Sequence, residues 1–453
     1  MPARGAAVKC GMTSKACIFA EQAAPRYTSY PTAPHFSPTV GPVTYTGWLA
    51  ELPADATLSL YLHVPFCARL CHYCGCHTKI VRRRAPVEAY AKSLAREIDL
   101  LGEQIGTQSV HGIHWGGGTP SMLGPDQLLR LTERIAGTFN CAAVSEHAIE
   151  LDPRHVDQPL VEALAAMGVT RASLGVQEFS PRVQEATGRI QPFSQVSAAV
   201  MLLREAGIAN LNFDLMYGLP HQTADDLERT IWLAHTLAPD RIALFGYAHV
   251  PWFKSHQRLI DEAALAGAAE RLALAEGARH ALLSLNYLQV GLDHFARLDD
   301  ALARAATSGT LRRNFQGYTT DNADALLGLG ASAIGRLPQG FAQNSPDIGG
   351  YARAIESGHL AIAKGIALGA NDRLRGDIIE RLMCHFAADA SELDDAAFVV
   401  ARDTLAPLAR EGIVEVDGRR IAVTHSGRPF VRLVAAAFDA YLAHGKARHS
   451  VAV

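Results

Sequence analysis

No stretch of this chain is both long and free of charge, so none reads as a membrane span. The first twenty-odd residues are polar and interrupted, without the apolar core of a secretory leader. Neither sign of charge dominates: 42 Lys and Arg face 45 Asp and Glu, for a formal net charge of −3 and a pI near 6.7. That balance leaves no electrostatic footprint for nucleic acid or an anionic membrane surface. Internal repeats and low-complexity tracts are also missing. Cysteine is sparse outside one place, because four of the eight fall between Cys67 and Cys76. Such crowding is not the spread of a disulfide framework, and a reducing, cytoplasmic setting is expected. Cys10 and Cys17 read as thiols without a ligand role.

What is present centres on Cys67-Ala-Arg-Leu-Cys71-His-Tyr-Cys74-Gly-Cys76. Thiolates are soft ligands that suit zinc, copper(I) or iron–sulfur clusters. A zinc loop could use Cys67, Cys71, Cys74 and either Cys76 or His72, but no second C-x₂-C pair exists to complete the usual arrangement. A four-iron cluster normally takes one cysteine per iron, so a C-x₃-C-x₂-C set leaves one iron open.

Around that loop the chain alternates strand-like and helix-like runs. Strands are expected at Leu58–Val64, up to His114, and at His147–Leu151, Arg171–Gln177, Asn210–Leu215 and Arg241–Phe245. Helices are expected from Pro86 to Leu101, from Pro125, and around Val161–Met167. Such alternation implies right-handed βαβ units and a parallel sheet. The fold class is α/β, and six units in series suggest a partial barrel with its active site at the strands' C-terminal rim. A doubly wound open sheet is the competitor. The expected divisions are an N-terminal arm over residues 1–54, a catalytic barrel over 55–300, and a mainly helical unit over 301–453. That last unit includes a hairpin turning at Asp417-Gly418. The arm contains Pro25-Arg26-Tyr27-Thr28-Ser29-Tyr30-Pro31, either laid on the surface or reaching a site. Gly116-Gly117-Gly118 lets backbone approach a ligand but lacks dinucleotide-binding spacing.

The cysteine spacing resembles the signature of radical S-adenosylmethionine (SAM) enzymes. The resemblance narrows with PRYTSYPTA at Pro25–Ala33, HWGGGTP at His114–Pro120, Gly175-Val176-Gln177, DLMYGLP at Asp214–Pro220, YAHVP at Tyr247–Pro251, DHFAR at Asp293–Arg297 and RNFQGYTT at Arg313–Thr320. Together these resemble the oxygen-independent coproporphyrinogen III oxidases of haem synthesis. That resemblance implies a radical SAM partial (β/α)6 barrel. It implies a [4Fe-4S] cluster on Cys67, Cys71 and Cys74, and two molecules of SAM. SAM contacts would fall on Tyr61, Tyr73, Gly117, Gly118, Thr119, Glu150, Gln177, Arg189, Asp214 and Ala248, with Ile334 facing the second SAM. The implied reaction converts coproporphyrinogen III to protoporphyrinogen IX by oxidative decarboxylation. It needs a reductant such as flavodoxin or ferredoxin and a final electron acceptor, and a monomer is expected. Cys76 lies where the substrate or a second SAM comes close. The substrate carries four carboxylates, so Arg26, Arg297 and Arg313 are candidates to hold them. Tyr73 stands where other members often have Phe, and Pro251-Trp252-Phe253-Lys254 departs from the pattern at the pocket rim. A related haem-binding chaperone group and a non-enzymatic zinc protein are the alternatives.

Overall fold

A computed structural model of the chain describes residues 18–106 and 108–442; Cys10 and Cys17 lie outside them. The six apolar runs form β1 (Thr57–Val64), β2 (Ser109–Gly117), β3 (Glu146–Leu151), β4 (Arg171–Gln177), β5 (Asn210–Tyr217) and β6 (Arg241–Gly246). Each strand pairs in parallel with the next, in chain order. Five crossovers carry α1 (Ala85–Gly102), α2 (Pro125–Thr138), α3 (Gln158–Ala166), α4 (Phe193–Glu205) and α5 (Ala224–Thr236). Proline in the first turn starts α1 and α2, and the Asp157 side chain caps α3 by accepting from the Leu160 N–H. Thr223 and Asp226 form a reciprocal capping box at the start of α5. A doubly wound sheet would reverse its strand order at a switch point. No reversal occurs among these six, so right-handed crossovers keep the helices on one face of a curling sheet, as in a barrel.

The two faces of β1 show the consequence. Leu58, Leu60 and Leu62 share one apolar core with Leu94, Ile98 and Leu101 of α1. The alternate residues Ser59, Tyr61 and His63 take the inner face. At the strands' N-terminal ends, the barrel floor is an ion network. Arg171 Nε stands 3.0 Å from Glu146, and Arg241 Nε stands 2.8 Å from Asp300. The cysteine loop follows β1 at the opposite end.

The sheet is larger than six strands. After α6 (Ala268–Ser284) come β7 (Tyr287–Val290) and β8 (His294–Arg297), with β8 antiparallel to β6. On the other edge β9 (Ala325–Leu329) lies parallel to β1, from Leu58 opposite Ala325 to Leu62 opposite Leu329. Then β10 (Ile334–Leu337), β11 (Gly340–Asn344) and β12 (Ile362–Ala367) continue antiparallel. The sheet therefore extends past the boundary expected at residue 300. Glu97 of α1 pins this edge from beneath. It is fully buried and accepts hydrogen bonds from Gly330 N–H (2.6 Å), Asn344 Nδ2 (2.6 Å) and the Tyr351 hydroxyl (2.7 Å).

The chain is mainly helical after β12, with α7 (Ala370–His385), α8 (Asp395–Arg410) and α9 (Val431–Ala436). The expected hairpin is present, Val414–Asp417 against Arg420–Val423, with Val416 opposite Ile421. This unit has its own core, and Tyr27 and Tyr30 of the arm are buried in it beside Leu382, Phe430 and Phe438. Arg432 donates to the carbonyls of Ala24 and Pro25, and Arg313 donates to those of Arg26 and Tyr27. The arm is therefore threaded between barrel and helical unit.

Candidate active site

Backbone geometry sets the cysteine loop. Phe66–Cys67 pairs in parallel with Lys79–Ile80, which closes the loop at its base. The Thr119 N–H donates to Phe66 O, and the His72 N–H donates to Thr187 O. A third support comes from the segment after β6, at and just beyond the stretch Pro251–Lys254 that departs from the family pattern. Lys254 Nζ donates to Cys76 O (2.8 Å), His256 Nε2 meets Cys74 O (2.8 Å), and Gln257 Nε2 donates to Tyr73 O (2.9 Å). Nothing in the spacing of Lys254, His256 and Gln257 marks them as supports of a loop so distant in sequence.

Cys71 is buried, Cys67 and Cys74 are half-buried, and Cys76 is exposed. Cys67 Sγ is approached by the Thr78 hydroxyl at 3.2 Å and the Thr119 hydroxyl at 3.5 Å. Arg189 Nη1 donates to Cys71 Sγ at 3.4 Å, and its Nη2 donates to Gly175 O at 2.6 Å. The hydrogen bond from Cys76, with His256 and Lys254 nearby, brings the Cys74 thiol down to about 6. The same bond holds the Cys76 thiol well above its ordinary value.

The strand ends bring most of the expected SAM contacts together. Glu150 accepts from Gly117 N–H at 3.1 Å and meets His114 Nε2 at 3.3 Å, while Tyr61 stacks on His114. Asp214 accepts from Asn212 Nδ2 at 2.9 Å and lies 3.4 Å from the Ser173 hydroxyl. Burial, with Glu150 adding, pushes the Asp214 carboxyl up to about 7. Gln177 and Arg189 converge over Gly175, where an added Cβ would stand 2.9 Å and 3.1 Å from their nitrogens. The Ala248 carbonyl accepts from Gln257 at 3.2 Å. Ile334 opens β10 on the far edge, where its backbone lies against Gly328, opposite Tyr61.

The three arginine candidates do not stay together. Arg26 and Arg313 line one cavity near Ala248, with Arg271 and Arg432, which sequence reasoning missed. Arg297 ends β8 at the floor. Its N–H donates to Asp240 O, and its exposed guanidinium stands 3.6 Å from Asp299. β8 runs antiparallel to β6, which carries its last residue away from the mouth. Arg297 is therefore removed from the candidates for substrate carboxylates.

By chemistry the donor set suits an iron–sulfur cluster, since three thiols of one loop are soft ligands. Among the described residues, no group of three or more His, Cys, Asp or Glu side chains could hold one metal ion. Cys67, Cys71 and Cys74 share the one loop that follows β1, all as free thiols. Arg189 is buried, and its Nε has no hydrogen-bond partner among the described residues. Glycine is also required where β2 packs against β1 and the base of the cysteine loop: a Cβ on Gly117 would lie 2.7 Å from the His63 ring, and one on Gly118 would lie 2.6 Å from Phe66 O. A buried guanidinium beside the Cys71 thiol, with its Nε–H still unpaired among the described residues, suits a carboxylate-bearing cofactor such as SAM.

Comparison with known proteins agrees. The Radical SAM superfamily profile matches residues 61–234. The oxygen-independent coproporphyrinogen III oxidase of Bradyrhizobium diazoefficiens is 52% identical, over 97% of this chain and 99% of that protein. The Escherichia coli protein of the same name is 39% identical, over 92% and 93%. The solved structure of coproporphyrinogen III oxidase from Escherichia coli, described as a radical SAM enzyme, superposes with a TM-score of 0.87 at 38% identity, over 92% of this chain and 98% of that one. With this likeness along nearly its whole length, the chain belongs to the oxygen-independent coproporphyrinogen III oxidases, radical SAM oxidoreductases that work with a [4Fe-4S] cluster and SAM.

Proposed function

We propose that this chain converts coproporphyrinogen III to protoporphyrinogen IX, with Cys67, Cys71 and Cys74 as the cluster ligands. The observation that carries the reading is the three-thiol loop over the mouth, with the Arg189 guanidinium on Cys71. A cluster on those thiols with SAM beside it would supply one-electron chemistry that ends with a hydrogen atom moved from substrate to the adenosyl group of SAM. At each of two propionates the β-carbon loses a hydrogen atom. The carboxylate then leaves as carbon dioxide with one electron, and a vinyl group remains. An electron acceptor takes that electron.

In this reading Arg189 grips the SAM carboxylate as a fork, and Glu150 and Asp214 accept from its polar hydrogens. Gln177 and the Ala248 backbone complete the polar contacts. Gly117, Gly118 and Thr119 give the ligand room, and Tyr61 and Tyr73 pack on it. Ile334 contacts a second SAM. Cys76 acts in turnover, not as a ligand, and Arg26 and Arg313 bind substrate carboxylates. The protein works as a cytoplasmic monomer drawing electrons from flavodoxin or ferredoxin. All six described cysteines are free thiols, and no described helix is long and apolar enough to cross a membrane.

The test is an anaerobic assay of iron-loaded protein with coproporphyrinogen III, SAM and a reductant. Protoporphyrinogen formation with carbon dioxide release is the expected result. Protein that holds iron and cleaves SAM yet leaves the porphyrinogen unchanged sinks the reading and favours the haem-binding alternative.

A further inference from the structure

The cavity that holds Arg26 and Arg313 contains more positive charge than the motifs announce. Among the described residues six arginines line it, 26, 271, 279, 313, 428 and 432, against two acids, Glu276 and Asp293. Glu276 pairs with Arg279 at 2.6 Å; Asp293 pairs with His294 at 2.8 Å and also faces Arg26 and Arg313. The cationic walls come from the arm, α6, the strand after residue 311 and the helical unit.

Its position is specific. Leu244 and Phe295 line it from the sheet face opposite Asp214, so it lies beside the mouth and not inside the barrel. Ala248 lines it too, and Gln257 ties the carbonyl of Ala248 to that of Tyr73 in the cysteine loop. The Arg271 guanidinium lies over two glycines at the ends of β5 and β6. A Cβ on Gly218 would stand 2.6 Å from its Nη1, and one on Gly246 would stand 3.2 Å from its Nη2. Any larger residue at Gly218 would displace that guanidinium from the rim.

We infer that Arg271 and Arg432 complete, with Arg26 and Arg313, a carboxylate-binding cavity that holds the substrate carboxylates not undergoing reaction. This inference rests on the decarboxylase reading above. A tetracarboxylate ring set over the mouth presents one edge to the thiol loop and another to this cavity. Buried guanidiniums bind carboxylates through paired charge-assisted hydrogen bonds. Burial lowers Arg432 to about 9, with Arg26 adding to the shift, and burial lowers Arg271 as well, so bound carboxylates would relieve crowded positive charge.

Arg432 also holds the arm carbonyls, so the substitution is made at Arg271, on α6. The experiment compares iron-loaded wild type, Arg271→Gln and Arg271→Lys under anaerobic conditions. Binding of coproporphyrin III, with four carboxylates, and protoporphyrin IX, with two, is read by fluorescence. Wild type should prefer the tetracarboxylate. Arg271→Gln should weaken coproporphyrin III binding by at least about tenfold and shrink that preference, with iron content and SAM binding unchanged. Arg271→Lys should recover part of the loss. Wild-type affinity and preference in Arg271→Gln would overturn the inference while leaving the decarboxylase reading standing. Wild type that binds coproporphyrin III but forms no product would count against that reading alone. A cavity that takes inorganic phosphate through Arg271 but no porphyrin would overturn the carboxylate assignment.

Discussion

Cys76 is the residue whose surroundings say most about its neighbours. It hydrogen-bonds Cys74 through its side chain, and Lys254 grips its carbonyl. Three thiols suffice for a cluster with one open iron. Cys67→Ser, Cys71→Ser and Cys74→Ser should each abolish bound iron and SAM cleavage; one mutant with full iron and activity would refute three-cysteine ligation. Cys76→Ser should keep iron and sulfide near wild type while product formation falls. Iron, SAM cleavage and protoporphyrinogen measured on one anaerobic sample decide the matter, since loss of iron would make Cys76 a ligand and no loss at all would make it packing. The thiols were legible because their spacing is local. Arg271 and Arg432 were not, because an arginine in a helix carries no periodic mark of the cavity it reaches. Arg297 misled because a motif states which residues are near in sequence, not which end of an antiparallel strand they reach.

At the scale of elements, the six parallel strands and their helices were legible from period-two runs, first-turn prolines and caps. β9 was not, because a run of five apolar residues shows no alternation when both faces are buried. Its attachment to α1 yields a prediction. Burial lifts the Glu97 carboxyl from 4.5 to about 7, against hydrogen bonds from Tyr351, Gly330 and Asn344 that act the other way. Between those values the folded chain keeps a proton that the unfolded chain has released, so this group removes stability as pH rises from about 4.5 to about 7. Glu97→Gln cannot titrate. Wild type minus variant Tm should therefore fall between pH 5 and pH 8, as read from thermal melts of both proteins. A difference that stays flat across that range would mean that Glu97 is charged throughout.

On the scale of the whole molecule, the arm was legible as a motif but not as a structural member. Tyr27 and Tyr30 sit in the core of the helical unit, and Arg26 Nη2 donates to Gly246 O at 3.1 Å. Removing residues up to Ala33 should leave iron binding near wild type. It should suppress decarboxylation if, as proposed, the arm contributes Arg26 and closes beside the substrate. The helical unit should also unfold at lower denaturant, having lost two buried aromatics. Normal turnover by the truncated protein would reduce the arm to surface packing. The walls of the arginine cavity also impose an order on the molecule's manufacture. A ribosome releases the thiol loop long before Arg432, by about 20–70 s at ordinary elongation rates. Through that interval a nascent chain owns every thiol proposed to hold the cluster, but not the wall that α9 supplies. A stalled or trimmed product is then a thiol loop with an unfinished cavity, and quality control that counts bound iron would pass it as complete.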